Sequence, residues 1–460
     1  MSCKYYTIVT LCLLAFSACE KDNIDVPATD NDVNQWIEQT MRENYLWYSE
    51  LPDKGSLDFS LDPETFFKRL LSDKDGKDIS EGHHYFSQLE KAAATKSIYD
   101  ANDSYGFDFA TSNLKDGNNT YKIALVLYVL KDSPAEEAGL KRGDWILGVN
   151  GSWGTIQDYD ILRNGGSISL QLGEVQANGQ ELAPTRKVTL NASRAVEDTP
   201  FLKDSVYTYG NHRIGYLMYN HFASGPDEYN YDDTSYNLYL QQLFEKFKSR
   251  NVNEFVLDLR YNGGGLINCA QLLASLLARE DVLGEPLCIM EYNDKNSGKN
   301  ETLPLLKTTE VMAGNLNLQR LFVLTGSTTA SASELIINSL RPYLNVRVIG
   351  QQTFGKTVGM TIYNESQKYG WILSPVTFHI YNKDREADYE NGIHPDVAVN
   401  EFKSDLVEFG DLNDPLLGQA VYEIIGLPTF LRSATPTENL EIQYNPPFSY
   451  KDNLLQIPGN

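Results

Sequence analysis

The spacing of apolar side chains changes along the chain, and each change predicts a different kind of element. Between residues 31 and 97, apolar residues recur every three or four positions, as at Val33 and Ile37, which is the period of an amphipathic α-helix. A second helix is predicted from Pro63, where Asp62 can cap the first turn. The pattern predicts a small N-terminal helical domain over residues 31–97.

Residues 98–197 have the apolar runs of β-strands instead. Strands are predicted at 123–130 and 145–149, and Asn150-Gly151 supplies a tight turn after the second strand. Residues 133–140 begin with a serine cap and a proline, which predicts a helix of one or two turns. This segment is therefore predicted to be a β-rich domain.

From residue 198 to 425, short apolar strands alternate with helical segments. The predicted strands are 214–219, 255–259, 321–325 and 346–349, and the predicted helices are 240–247, 266–279 and 333–340. Short apolar strands separated by helices are typical of a largely parallel α/β sheet. Residues 426–460, rich in Pro, Asn and Thr, are predicted to be an irregular tail. The whole chain is thus predicted to be a multidomain α/β protein.

The first eighteen residues have the features of a secretory signal peptide. Lys4 precedes an apolar run over residues 8–16, which is shorter than the ~20 residues that a membrane-spanning helix needs. Small residues then precede Cys19, as in the lipobox of bacterial lipoproteins, which this segment resembles. The alternatives are a lipid anchor on Cys19 and simple secretion. Residues 19–30 are short, polar and acidic, and are predicted to be a tether.

Composition excludes some partners and cofactors. The 460 residues carry 39 Lys and Arg against 62 Asp and Glu, a net charge of −23 that disfavours binding to nucleic acid. Cys269 and Cys288 lack the spacing of a zinc site, so no metal is predicted. They either form a disulfide or are two buried free thiols. The adjacent His83 and His84 are predicted to have a structural or solvent-exposed role.

Three turns of the predicted core carry residues suited to chemistry. Residues 258–265 end in three glycines, which let backbone N–H groups point at a ligand, but no Gly-Lys-Ser/Thr follows as in a Walker loop. The second turn contains Ser331 and the third contains Lys356. Because the helix at 333–340 returns the chain, the strands before these two turns are predicted to run parallel. Both turns then lie at the same edge of the sheet.

Ser331 and Lys356 each have an ordinary structural explanation as well as a chemical one. Ser331 with Glu334 fits a helix-capping box, and Lys356 fits an exposed loop cation. In the chemical interpretation, Ser331 is a nucleophile at a helix N-terminus and Lys356 is its base. An amine accepts a proton only when it is neutral, which burial favours, and Phe354, Val358 and Met360 supply apolar surroundings.

Taken in order, these motifs resemble the carboxy-terminal processing (tail-specific) protease family, which is related to the core of tricorn protease. The matching stretches are Ile214-Gly215-Tyr216-Leu217, residues 258–265, Ser331-Ala332-Ser333-Glu334, Phe354-Gly355-Lys356 and residues 391–397. Residues 133–151 resemble a PDZ domain, and a PDZ-like domain before the core is the usual arrangement in this family. The resemblance covers most of the chain after the tether.

The resemblance implies a serine endopeptidase with a Ser–Lys dyad, in which Ser331 is the nucleophile and Lys356 is the general base. The N–H groups of Ala332 and of Gly264 or Gly265 would form the oxyanion hole. The implied partner is a peptide or an unfolded polypeptide, no cofactor is implied, and a homo-oligomer is compatible with the family. With a lipid on Cys19, the expected location is the cell envelope: the outer membrane, the periplasm or the cell surface.

A PDZ-like domain would add a peptide as an extra strand and hold its terminal carboxylate with backbone amides. Tyr105, Gly106 and Phe107 are carried over as the residues of that loop. Two positions depart from the family pattern. Met360 stands where members often have a Gln that orients the lysine, and Gly263 stands where they prefer Pro.

Other functions stay open at this stage. The main alternative is a catalytically idle lipoprotein that binds peptides through its PDZ-like domain. A hydrolase of small esters is a third class. A Ser–His hydrolase is not excluded by composition, but His212, His221, His379 and His394 do not lie in a recognisable partner motif. Asp258 and Glu334 are explained by an ion pair and a helix cap.

Overall fold

The computed structural model describes residues 28–79, 82–91, 103–116, 119–152, 156, 158–175, 182–227, 230, 232–426, 441–443 and 455–458. The predicted signal peptide, Cys19 and most of the predicted tether lie outside these residues. Within the described ranges, the longest helices are too short or too polar to cross a bilayer.

The N-terminal unit combines helices with short strands. Its elements are α1 (Asp30–Asn44), α2 (Pro63–Lys68), β1 (Lys77–Ile79), β2 (Gly82–His84) and β3 (Gln88–Lys91). Both predicted helices are confirmed, and the Asp62 side chain accepts the Thr65 N–H at the start of α2. The unit also contains short strands that the helical pattern did not predict, and β3 pairs antiparallel with β20 (Trp371–Ser374) of the core. This pairing is set by long-range contact, which helical periodicity does not reveal.

The β-rich domain is a curled antiparallel sheet with one short helix. Its elements are β4 (Asp103–Ser104), β5 (Phe107–Asp116), β6 (Asn119–Val129), α3 (Pro134–Glu137), β7 (Trp145–Val149), β8 (Ile168–Val175), β9 (Leu182–Leu190) and β10 (Arg194–Ala195). The strand order is β5-β6-β7-β8-β9. Asn150 and Gly151 have φ values of 52° and 86°, so the predicted tight turn forms where positive φ is required.

The main sheet of the core is largely parallel, as predicted. Its strands are β11 (Phe201–Tyr209), β12 (His212–Tyr219), β13 (Glu254–Asp258), β17 (Arg320–Thr325), β18 (Asn345–Gly350) and β22 (Val397–Ala398), in that spatial order. Only β11 in this sheet is antiparallel to its neighbour, and β17 pairs parallel with β18. The carboxyl ends of β13, β17 and β18 therefore meet at one edge.

A second sheet lies beside the first. It is ordered β14 (Gly265–Leu266), β24 (Leu455–Pro458), β19 (Val358–Glu365), β21 (Val376–Tyr381), β15 (Pro286–Tyr292) and β16 (Glu301–Pro304), and β20 pairs with β19. A further strand, β23 (Glu441–Gln443), extends the β-rich domain at β5. The prediction of a wholly irregular tail over 426–460 is thus wrong at these two strands.

Helices cover both faces of the main sheet. They are α4 (Ser235–Ser249), α5 (Ile267–Leu277), α6 (Thr309–Gly314), α7 (Ala332–Leu340) and α9 (Pro415–Ile425). The short helix α8 (Ser366–Tyr369) instead contacts β20. Residues of α4, α5 and α7 share one core, whereas α9 and part of the β-rich domain share the core of the opposite face. Cys269 and Cys288 are free and buried, and burial raises the pKa of each thiol to about 12.

A buried cluster of charges fixes the β-rich domain to the core. Arg260 donates to Asp258, Glu401 and Asp414. Arg142, from the loop before β7, donates to the same Glu401 carboxylate at 2.7 Å. These side chains are almost completely buried, so each charge depends on its partners for solvation.

We therefore predict that Arg260→Ala lowers the free energy of unfolding by about 3–5 kcal/mol, because it leaves buried carboxylates without their counter-charge. Arg347→Ala is the matched control. It removes a partly exposed pair with Glu423 and should cost less than about 1 kcal/mol. Urea unfolding followed by circular dichroism measures both values. Equal losses in the two variants would contradict this account of the cluster.

Candidate active site

The three turns singled out in the sequence meet at the carboxyl edge of the main sheet. The Ala330 N–H donates to the Asn262 carbonyl at 3.1 Å, which joins the glycine-rich turn to the serine turn. The Phe354 N–H donates to the Thr329 carbonyl at 2.8 Å, which joins the serine turn to the lysine turn. The predicted convergence is therefore confirmed at the level of the backbone.

Ser331 lies immediately before α7 in an unusual backbone conformation. Its φ is 58° and its ψ is −113°, a backbone conformation that residues other than glycine seldom adopt. Its hydroxyl oxygen is buried and has no hydrogen-bond partner among the described residues. The N–H of Ala332 is among the first of α7, and such groups have no partner inside their own helix. A strained serine with an uncommitted hydroxyl at a helix N-terminus is suited to nucleophilic attack.

Glu334 ties the serine turn to the lysine turn. Ser331 and Glu334 occupy the positions of the predicted capping box, and the Ser331 N–H donates to the Glu334 carboxylate at 2.8 Å. The same carboxylate also accepts the N–H groups of Gly355 and Lys356, at 2.7 and 2.9 Å, and the hydroxyl of Thr353. Burial raises the pKa of Glu334 to about 7, although these four donors favour its ionised form. Glu334 therefore does more than cap α7, because it also binds the backbone of the lysine turn.

The Lys356 side chain is buried, with 1% of its surface exposed. The alternative of an exposed loop cation is thus excluded. Its Nζ lies 3.7 Å from Sδ of Met360 and 4.9 Å from the centre of the Phe86 ring. The residue that replaces the family's Gln therefore contacts the amine itself, through a polarisable sulfur.

Phe86 comes from the N-terminal unit, and its position is fixed by a buried carboxylate. Asp75 accepts the N–H groups of Phe86 and Ser87, both at 3.0 Å. The Ser87 hydroxyl in turn accepts the Val376 N–H of β21 at 2.8 Å. Sequence reasoning missed Phe86, because only the docking of the N-terminal unit brings it to the lysine.

A second residue of the N-terminal unit, His84, also lies near Lys356. Burial lowers the pKa of its imidazole to about 4, and the charge of Lys356 contributes to the shift. His84 therefore lies close to Lys356, and the imidazole of His84 is neutral at neutral pH. Its ring lies perpendicular to that of Phe354 in a T-shaped contact, with 6.2 Å between their centres. His83 instead bonds to Asp78, so the two adjacent imidazoles point to different partners.

The glycine-rich turn approaches the end of β12 closely. A side chain at Gly265 would lie 2.2 Å from the carbonyl oxygen of Phe222, so only glycine fits there. Gly264 donates its N–H to Oδ1 of Asn262 at 2.9 Å. Of the two glycines proposed for the oxyanion hole, Gly264 thus already has an acceptor within its own turn.

In the β-rich domain, the three carried-over residues lie at the start of β5. Tyr105 is completely buried, and its hydroxyl donates to the Gly166 carbonyl. Gly106 has a φ of 78°, and its N–H donates to the Ser104 hydroxyl. Phe107 begins the strand, packed against Phe109. The side chains are committed to the domain core, so only the backbone of this segment is available to a ligand.

The remaining histidines are not bonded to the candidate nucleophile, because the Ser331 hydroxyl has no hydrogen-bond partner in the described part of the chain. His212 pairs with Glu254 at 3.3 Å, and His394 is exposed. Burial lowers the pKa of His221 to about 3. Across the described ranges, no group of three His, Cys, Asp or Glu side chains could hold a metal ion.

Comparison with known protein families gives three matches along the chain. Residues 213–399 match the model of Peptidase family S41, and residues 32–87 match that of the Peptidase S41 N-terminal domain. Residues 125–170 match the model of the PDZ domain. The order of the three matches follows the order of the units described above.

Individual proteins show the same similarity. A solved structure of a putative S41 protease from Bacteroides fragilis is 35% identical, with a TM-score of 0.75 over 85% of this chain and 97% of that one. A probable CtpA-like serine protease of Staphylococcus epidermidis is 25% identical over 342 residues, covering 73% of this chain. A carboxyl-terminal-processing protease of Synechocystis is 25% identical over 295 residues, covering 63% of this chain. The chain spans 62% and 61% of the lengths of these two curated relatives.

The conformation of Ser331 generates a prediction about stability. We expect Ser331→Gly to be more stable than Ser331→Ala by about 1 kcal/mol, because glycine adopts this backbone geometry without strain. Ser339, in the last turn of α7 and without a positive φ, is the control position, where the order of the two substitutions should reverse. Urea unfolding of the four variants tests this. An alanine variant at 331 as stable as the glycine variant would exclude the strain.

Proposed function

The chain belongs to peptidase family S41, and from this we propose that it is a serine endopeptidase of the carboxy-terminal processing type. It cuts peptides or unfolded polypeptides through a Ser331–Lys356 dyad and an acyl-enzyme. The observation that carries this proposal is the buried hydroxyl of Ser331, which has no hydrogen-bond partner among the described residues. The backbone N–H of Ser331 donates to Glu334, which also binds the turn of the buried Lys356. The names of the relatives support the same activity.

In the first half of the reaction, Oγ of Ser331 attacks the carbonyl carbon of the scissile bond and its proton passes to Nζ of Lys356. The tetrahedral intermediate collapses when Nζ returns that proton to the leaving amine. An ester on Ser331 results, and the carboxy-terminal part of the substrate leaves as a free amine. In the second half, Nζ of Lys356 takes a proton from water as the water oxygen adds to the ester carbonyl. The bond to Oγ of Ser331 then breaks, Nζ returns the proton to Oγ, and the amino-terminal part of the substrate leaves as a carboxylic acid.

The lysine can act as a base because its side chain is buried away from solvent. Removal from water disfavours an ammonium ion, which favours the neutral amine that the reaction requires. The Phe86 ring also stabilises the ammonium that forms transiently after proton transfer. Met360 and Phe86 together thus take over the orienting task that an amide side chain performs in many relatives. This contact argues against the alternative of an idle site with a loosely held lysine.

The oxyanion is assigned to the N–H groups of Ala332 and of Gly265 or Gly264. The helix dipole of α7 adds positive potential at Ala332. Gly264 can donate to the oxyanion only if the Asn262 side chain releases the Gly264 N–H. Gly265 does not have this hydrogen bond to Asn262. Loss of one such donor costs about 2.7–4 kcal/mol in the activation barrier.

The PDZ-like domain is proposed to capture the substrate by strand addition at β5, with backbone groups at Gly106 and Phe107 near the peptide terminus. The same proposal includes secretion and a lipid on Cys19, which would hold the enzyme at the cell envelope. Metabolic labelling with a radioactive fatty acid tests that anchor. Label that persists in Cys19→Ser would contradict it.

We predict that the protein from residue 19 onwards degrades unfolded casein, and that Ser331→Ala and Lys356→Ala each lower kcat/KM by a factor of ~10³ or more. Activity should rise with pH, because only the neutral amine of Lys356 accepts the serine proton. Fluorescence release from labelled casein measures both effects. Undiminished cleavage by Lys356→Ala would eliminate the dyad. Peptide binding without cleavage would favour the idle lipoprotein.

We also predict that Glu334→Gln lowers kcat/KM by about 10- to 100-fold, because an amide offers one acceptor oxygen and directs its own N–H groups at buried donors. Glu310→Gln, at an exposed position of α6, is the control and should leave activity unchanged.

The pH dependence of stability gives an independent readout of Glu334. Its pKa is raised from 4.5 to about 7, so the fold favours the protonated form. The resulting stabilisation is complete below about pH 4.5 and disappears as the pH rises through about 7. The wild type should therefore lose stability relative to Glu334→Gln across this interval. A constant difference would contradict the assigned ionisation.

A further inference from the structure

The chain places one of its own strands between the oxyanion turn and the lysine strand. β24 pairs parallel with β14, where Gly265 lies opposite Leu455. On its other side, β24 pairs parallel with β19, where Met360 lies opposite Gln456. Without β24 the edges of β14 and β19 would face each other across an open slot one strand wide.

The direction of β24 shows which end of the slot lies nearest to the turns that contain Gly264 and Lys356. β14 begins directly after Gly264, and β19 begins two residues after Lys356. Because β24 runs parallel to both, its amino end at Leu455 is the end nearest to the two catalytic turns. A polypeptide in this slot would therefore pass the oxyanion turn and then extend away along β19.

The preceding strand covers the peptide-binding edge of the PDZ-like domain. β23 pairs antiparallel with β5, with Glu441 opposite Asn113 and Gln443 opposite Thr111. It thus runs toward the beginning of β5, where Gly106 and Phe107 lie. Antiparallel addition in this direction is how extended peptides join such domains.

We propose that these two tail strands, β23 and β24, occupy the substrate's path in cis and compete with substrate polypeptides. The inference rests on the proposed function, since it identifies the slot between β14 and β19 as the place of the substrate. Strand addition depends mainly on main-chain hydrogen bonds, so a foreign extended chain can replace β24 without sharing its sequence.

The pairing is short enough to be displaced. β24 has two paired residues on β14 and three on β19, and the last of these is Pro458, which has no N–H to donate. The covalent connection to β23 nevertheless keeps β24 near the slot. Eleven residues separate β23 from β24, and attachment within one chain over so few residues gives an effective concentration in the millimolar range. A peptide that binds in trans with a Kd of ~0.1 mM would then occupy the slot about tenfold more often than leave it empty.

The test compares the protein from residue 19 onwards with a variant that lacks residues 455–460. Deletion should raise kcat/KM for casein about tenfold, and a synthetic peptide of residues 451–460 should restore inhibition competitively. A variant that lacks only residues 459–460 retains β24 and serves as the control, with unchanged activity expected. Lower or unchanged activity after deletion of 455–460, without inhibition by the peptide, would overturn the proposal.

A binding measurement keeps this result separate from the proposed activity. In the deletion variant that also carries Ser331→Ala, the fluorescently labelled peptide of residues 451–460 should bind and be displaced by unfolded casein. Its anisotropy should stay low in the presence of the full-length Ser331→Ala protein, whose slot is occupied. Equal binding to both proteins would overturn the inference. Binding as expected without cleavage by the wild type would refute only the peptidase.

Discussion

The carboxylate of Glu334 is the contact on which the geometry of the site depends. It accepts hydrogen bonds from the serine turn through Ser331 and from the lysine turn through Gly355 and Lys356. The two turns follow different strands, and one buried acceptor holds them in a single arrangement. Because a displaced turn would leave buried N–H groups without an acceptor, the arrangement is held rigidly. This rigidity sustains the strained conformation of Ser331 and leaves its hydroxyl uncommitted.

The environment of the lysine is assembled from separate parts of the chain. Phe86 reaches it from the N-terminal unit, fixed by Asp75, and Met360 reaches it from the strand that follows the lysine. The N-terminal unit is therefore part of the site, beyond any role in folding. The PDZ-like domain is joined to the same edge of the core through Arg142, whose guanidinium shares Glu401 with Arg260. All three units thus converge on the turns that contain the proposed Ser331–Lys356 dyad.

The sequence predicted the parts of this site that depend on local pattern and on the rules of parallel sheets. Short apolar strands followed by polar turns were enough to bring Ser331 and Lys356 to one edge. The sequence could not predict Phe86, because its contact with Lys356 arises only when distant segments dock. The pattern Ser-x-x-Glu accounts for one of the hydrogen bonds of Glu334, and the others come from a turn that follows another strand. β24 was missed because four residues held by backbone pairing have no periodicity to recognise.

The most direct test of the Ser331–Lys356 pair is to trap the covalent intermediate. Acid quenching during turnover of a peptidyl thioester, followed by mass spectrometry of proteolytic fragments, identifies the acylated residue. The account predicts an acyl group on Ser331 in the wild type and its loss in Lys356→Ala. Acylation of another residue, or of Ser331 at the same rate without the lysine, would contradict it.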